Sequence, residues 1–86
     1  MAELLLITAD DCHFCDRARA LLEGLGVEAR ELPAGSPEAR ELARRGVGAP
    51  LLPLLTDGER VLAYGRFSER RLRRELAGEP AVGPTP

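Results

Sequence analysis

The residues with the chemistry to act are Cys12-His13-Phe14-Cys15, two thiols separated by two positions. They follow an apolar run and a short polar turn, and they open a stretch with helical spacing. At the start of a helix, free amide N–H groups and the positive end of the dipole stabilise an anion, so the Cys12 thiolate is favoured there. A thiolate is the nucleophile of disulfide exchange. Cys15, three residues on and on the same helical face, can reach the Cys12 sulfur and expel a bound group from a mixed disulfide. His13 adds a donor or a positive charge beside Cys12, or is a solvated side chain at the helix start. Phe14 reads as an exposed apolar platform for docking, with burial as the rival reading.

A CxxC pair can serve a metal instead. It is half of a tetrahedral zinc site, but the sequence has only 2 cysteines and 1 histidine, which leaves a closed site within one chain short of ligands. A metal or iron–sulfur cluster bridging two chains stays open, as do two chance core cysteines.

The elements that must position the pair follow from hydrophobic period and turn residues. Leu4-Leu5-Leu6-Ile7 is apolar on both faces, which predicts a central strand over Glu3–Thr8. Ala18, Leu21, Leu22 and Leu25 recur at helical spacing, predicting a helix from Cys12 to Leu25 that is punctuated by Gly24 and Gly26. Val27–Leu32 alternates weakly, as an edge strand would. Ser36-Pro37 is a cap followed by a first-position proline, and the helix it opens ends near Arg45 with Gly46 as its stop. Leu51–Leu55 is an apolar run in which Pro53 would cost a ladder hydrogen bond, so a bulge or a start after Pro53 is expected. Asp57-Gly58 predicts a hairpin turn into a strand over Arg60–Tyr64. Ser68 caps a last helix over Glu69–Ala77, closed by Gly78. The order strand, helix, strand, helix, strand, strand, helix predicts an α/β domain over residues 1–78, one mixed sheet flanked by helices. Residues 79–86, with three prolines, read as a flexible tail.

Composition narrows the class. A chain of 86 residues supports one core. Its 44% apolar and 30% charged residues are those of a globular protein rather than a disordered or fibrous one. The net charge of -2 gives no drive toward nucleic acid or anionic lipid. All 12 basic residues are arginine and Lys, Asn, Gln and Trp are absent, a bias that fits a thermophile or a GC-rich genome equally. The N-terminus has neither a basic region nor a spanning apolar run, so a cytoplasmic protein without a membrane segment is expected. In a reducing compartment a CxxC pair suits redox chemistry better than stapling. Tyr64 and Phe67 read as core or hinge packing. The arginines of the last helix, set against Glu69 and Glu75, read as a solvated face, with recruitment of an acidic partner as the alternative.

Cys12-His13-Phe14-Cys15 after the first strand, Gly46-Val-Gly-Ala-Pro50, and Gly65-Arg66-Phe67-Ser68 before a Leu-rich helix resemble a family of small bacterial glutaredoxin-like proteins, over about residues 3 to 77. The resemblance implies a thioredoxin fold in its glutaredoxin-like form, a four-stranded mixed sheet flanked by three helices (βαβαββα). It also implies a cis proline facing the CxxC. Pro50 is the matching position and Pro53 the rival; Pro50 is preferred because its distance to Asp57-Gly58 leaves chain for a strand. With Ala49, Pro50 would then expose backbone for pairing with a bound thiol peptide. The sequence departs from glutathione-using members: Asp10 and Asp11 precede Cys12, where basic residues are usual, and their like charge opposes the helix dipole by raising the thiol pKa. At the later site Gly65-Arg66 stands where a Gly-Gly pair is usual, and Arg66 could meet a ligand carboxylate.

The expected function is thiol–disulfide oxidoreduction, with Cys12 attacking, Cys15 resolving, and His13, Phe14, Ala49, Pro50 and Arg66 around the substrate. No resident cofactor or metal is expected, and glutathione is a candidate reductant. The expected partner is a disulfide-containing protein or a small thiol, met by a monomer. The alternatives are an iron–sulfur or metal carrier bridging two chains through Cys12 and a redox-inactive binding module.

Overall fold

The computed structural model describes residues 3–66 and 68–76. Its elements are β1 (Leu5–Thr8), α1 (His13–Gly24), β2 (Arg30–Pro33), α2 (Pro37–Arg44), β3 (Leu54–Thr56), β4 (Val61–Tyr64) and α3 (Glu69–Leu76), in the expected order. The four strands form one sheet in the order β2-β1-β3-β4. β1 runs parallel to β2, with Leu6 opposite Glu31, and antiparallel to β3, with Leu6 opposite Leu55. The hairpin pairs β3 with β4, Leu55 opposite Ala63, with a register shift at Leu55/Thr56. β1 is thus central and all four of its residues are buried, as an apolar run without alternation requires.

Successive side chains of a strand point to opposite faces, and the core divides accordingly. Leu6 and Leu55 pack with Ala18 and Leu22 of α1 and Leu72 of α3. Leu5, Ile7 and Leu54 pack on the other face with Ala39 and Leu42 of α2 and with Val47. Two helices therefore cover one face of the sheet and one covers the other, which fixes α1 over β1.

The caps act as their residue types suggest. The Ser36 hydroxyl accepts from the Ala39 N–H at 3.2 Å and the Ser68 hydroxyl from the Arg71 N–H at 3.2 Å, satisfying donors that a helix start leaves open. Gly26 and Gly46 end α1 and α2 with φ of 70° and 88°, in the left-handed region where a Cβ is disfavoured. In the hairpin one carboxylate oxygen of Asp57 accepts from the N–H groups of Glu59 and Arg60 at 2.9 and 3.0 Å. These bonds, the Glu59 one first, hold the Asp57 carboxyl below the usual range.

Two expectations change and one is met. The second strand lies at Arg30–Pro33 rather than Val27–Leu32, because pairing with β1 takes Arg30 through Pro33 into register; Pro33 fits there since an edge strand has one side without a ladder. The third strand begins after Pro53, one of the two expected solutions. The cis bond, expected before Pro50, is instead Leu52–Pro53. A strand of ordinary length would need the chain from Pro50 onward, whereas β3 spans 3 residues and starts at the position after Pro53. Pro53 is buried and its carbonyl accepts the Gly65 N–H at 2.8 Å, whereas Pro50 is exposed in a bend. Phe67, the helix end at Ala77-Gly78 and the tail expected over 79–86 lie outside the described residues.

Candidate active site

Cys12 is the N-cap of α1. Its backbone is extended, with φ -107° and ψ 103°, and its sulfur accepts the Cys15 N–H at 3.2 Å. A thiol seldom caps a helix, and here it takes the place that a Ser or Asp oxygen would fill, bringing Sγ to an open amide donor. The turn before it makes this placement possible: Asp11 has φ 55°, a conformation that Asp tolerates better than most residues and that turns the chain from the end of β1 into the cap. One structural reason for an acidic residue at 11 is therefore the backbone, whatever its charge does to the thiol.

Cys12 and Cys15 are joined in a disulfide, with Cα atoms 5.1 Å apart, inside the span such a bond requires. Cys12 is half-buried and Cys15 is wholly buried, at 0% exposure. Of the two sulfurs, Cys12 is therefore the one on the accessible side, and Cys15 is reached from within the protein.

The two flanks of α1 differ. With 3.6 residues per turn, Phe14 and Arg17 share one flank while Asp16 and Arg19 lie on the opposite one, with Cys15, Ala18 and Leu22 forming the buried stripe between. Toward β2, the Arg19 guanidinium donates to Asp16 and, through two nitrogens, to both Glu31 oxygens, at 2.9 and 2.6 Å. The Thr8 hydroxyl also donates to Glu31, at 2.9 Å. The hydrogen bond from Arg19 is the main cause holding the Glu31 carboxyl below its usual range, with partial burial opposing and Thr8 assisting, and the same bond raises Arg19. Asp10 lies in the groove of this flank, with Thr8, Arg19, Glu31 and Pro33.

Toward β4, Phe14, Arg17 and Ala18 line a shallow cleft with Gly65 and Arg66. Gly65 has φ 69°, and a Cβ built there would lie 3.4 Å from Leu51 Cδ1, so the Leu51 side chain rests on this turn. Phe14 is 41% exposed and Leu51 59%, two of the three large apolar side chains that are exposed among the described residues. The third is Tyr64, at 44%, which corrects its reading as packing.

Of the expected site residues, Cys12 and Cys15 meet, and Phe14 and Arg66 share one cleft. His13 is exposed beside Phe14, ring centroids 6.0 Å apart and tilted. Ala49 is half-buried against the core on the α2 face, and Pro50 carries a trans bond. Sequence reasoning misses Arg17 and Leu51. Arg17 is legible as the i+3 neighbour of Phe14, whereas Leu51 falls in the run predicted as a strand, and its exposure follows only from the strand beginning later. Among the described residues no three His, Cys, Asp or Glu side chains form a metal-ligating group, and no helix is long and apolar enough to cross a membrane.

Residues 6–63 match the family model described as the glutathione S-transferase N-terminal domain. The crystal structure of a glutaredoxin from Archaeoglobus fulgidus superposes with a TM-score of 0.63 at 20% identity, covering 88% of this chain and 87% of that one, which shows the shared fold. No curated protein matches the chain.

Proposed function

The chain belongs to the family of the glutathione S-transferase N-terminal domain, and on that premise we propose that it is a thiol–disulfide oxidoreductase in which Cys12 attacks and Cys15 resolves. It is a small glutaredoxin-like member of the thioredoxin superfamily, and its cysteine geometry fits thiol oxidoreduction. The observation that carries the reading is the half-buried Cys12 sulfur at the N-cap of α1, accepting the Cys15 N–H, with the Cys15 sulfur within bonding reach.

In the reduced protein the Cys12 thiolate attacks one sulfur of a substrate disulfide. A Cys12–substrate bond forms, the substrate S–S bond breaks, and the leaving thiolate takes a proton from solvent. Cys15 then loses its proton, attacks the Cys12 sulfur and releases the second substrate half as a thiol. Two electrons and two protons have passed from the dithiol to the substrate, and the Cys12–Cys15 disulfide remains. A thiol reductant, such as glutathione or a protein dithiol, returns the pair to the reduced state by the reverse sequence. The amide donor and helix dipole stabilise Cys12 as attacking and leaving thiolate alike.

The working form is a monomer in a reducing compartment, acting reductively on a disulfide-containing protein or a small disulfide. Exposed Phe14 and Leu51 are the candidate apolar contacts for a substrate, with His13, Ala49 and Pro50 as further candidates. The test is redox titration of the pair against glutathione buffers, read by thiol labelling and mass. A reversible two-electron transition near cytosolic potentials is expected, and failure to form the intramolecular disulfide at any poise would overturn the reading.

A further inference from the structure

From the Arg19–Glu31 pair to the end of α1, the flank toward β2 opens into a groove of about 1050 Å³. Its floor is apolar: Leu6 and Leu22 are buried in the core, and Leu4, Val27 and Ala29 are half-buried against it. One wall is α1 from Arg19 to Glu23, and the other is the chain from Val27 into β2, an edge strand. Four carboxylates stand at the rim, Glu3, Glu23, Glu28 and Glu31, against two guanidinium groups, Arg19 and Arg30. Both guanidinium groups are already used, Arg19 by Glu31 at 2.6 Å and Arg30 by Glu3 at 2.9 Å and Glu38 at 2.6 Å. Glu23 and Glu28 are exposed and make no ion pair among the described residues. The groove is thus apolar beneath, with two unanswered negative charges above.

We propose that this groove docks an extended segment of a partner protein in which one apolar side chain stands between two lysines or arginines. The apolar side chain covers Leu4, Val27 and Ala29, and the cations meet Glu23 and Glu28. The chain from Val27 to Glu31 reaches at most about 13 Å, so a partner strand running beside it sets three same-face side chains over the groove. Among the described residues no strand pairs with the outer edge of β2, which leaves its backbone open to that addition. A second copy of this chain does not supply the segment, because its arginine-rich α3 exposes no large apolar side chain. Glu23 lies about 16 Å along α1 from Cys12 at 1.5 Å per residue, so a partner held in the groove leaves the sulfur open. The groove acts by binding alone and requires no step at the cysteine pair.

The test is an NMR titration of the isotope-labelled full chain, in its disulfide form, with the peptide acetyl-Lys-Ser-Leu-Ser-Lys-amide. Amide shifts are expected at Leu4, at Val27 to Ala29 and in the last turn of α1, with Cys12 to Cys15 and α3 unmoved. Glu23→Gln and Glu28→Gln should each raise the Kd about threefold, the size of an exposed ion pair. Glu59→Gln, which removes an exposed carboxylate from the hairpin, should leave it unchanged. Sodium chloride should raise the Kd, and serine in place of the peptide leucine should raise it about tenfold. No shift at the groove with millimolar peptide, equal binding of the serine peptide, or an unchanged Kd in the double glutamine variant would overturn the proposal. Shifts at the same residues on concentrating the protein alone would give the groove to a second copy and overturn it too. The amide spectrum of each variant checks that the fold is kept. None of these readouts involves thiol exchange, so their failure and that of the oxidoreductase reading are told apart.

Discussion

The two flanks of α1 are built to different ends. On the β2 flank a charge network ties Thr8 and Glu31 to the first turn of the helix through Arg19. On the β4 flank two guanidinium groups have no ionic partner among the described residues, and Phe14 and Leu51 stand exposed. A surface charge gains little by pairing within the protein and keeps its capacity to bind when it does not. The difference teaches that the satisfied side ties the helix to the edge strand, whereas the other side leaves its charges and apolar side chains to solvent, with the cysteine pair between them.

The comparison breaks most sharply at the sulfurs. Cys12→Ser is expected to reduce exchange to the uncatalysed background with either flank intact, measured as reduction of hydroxyethyl disulfide. Cys15→Ser should instead accumulate a Cys12 mixed disulfide, detected by mass, because the first step survives and the second has lost its nucleophile. Equal behaviour of the two variants would place the division of roles elsewhere.

Next in size is Leu72→Ala. Leu72 is the fully buried residue of α3 and packs into the core shared with α1. Its truncation is expected to cost about 3 kcal/mol, seen as a lowered urea midpoint, from lost transfer energy and an unfilled cavity. Because α3 follows directly on the turn that carries Arg66, this loss should weaken the β4 flank before the β2 network.

A smaller effect is expected at Gly65, whose φ of 69° disfavours any Cβ while the space toward Leu51 would admit one. Gly65→Ala should cost about 1–2 kcal/mol through the backbone alone. A neutral result in thermal unfolding would mean that the turn shifts freely and does not fix Arg66.

The smallest effect sharpens the β2 side. Glu31, Glu38 and Asp57 are held below the usual carboxylate range, the first two chiefly by hydrogen bonds from Arg19 and Arg30 and the third by backbone N–H groups. The native state then binds fewer protons than the unfolded state at mildly acid pH. Their contribution to stability is fully present above the ordinary carboxylate values and is lost as the pH falls through the native ones. Urea unfolding followed from neutral pH down through that range should show declining stability, and Glu31→Gln should make the decline shallower. A slope unchanged by the substitution would show that the network is only surface decoration.

Much of this was determined locally and was legible in the sequence. The order of elements, the caps at Ser36 and Ser68, the glycine stops at Gly26 and Gly46, and the placement of Cys12 at a helix start all follow from propensities and hydrogen-bond needs of neighbouring residues. The register was not legible. Arg30–Pro33 became a strand because β1 lay beside it, and pairing across the sheet outweighed the weak alternation of Val27–Leu32. The choice between Pro50 and Pro53 likewise turned on where β3 begins, which is set by its partners Leu5 to Ile7 and Tyr64.

By itself, then, the sequence determined the paired cysteines and their helix, since a thiol at an N-cap needs only the residues around it. Only the tertiary structure decided which charges would be used up and which left open. Arg17 and Arg19 are two residues apart on one helix and chemically identical, yet Arg19 meets Glu31 from the edge strand while Arg17 shares its cleft with Arg66 from the far end of the chain. A helix sends residues at that spacing to different neighbours, and which neighbours they are depends on the order in which the strands assemble beneath it.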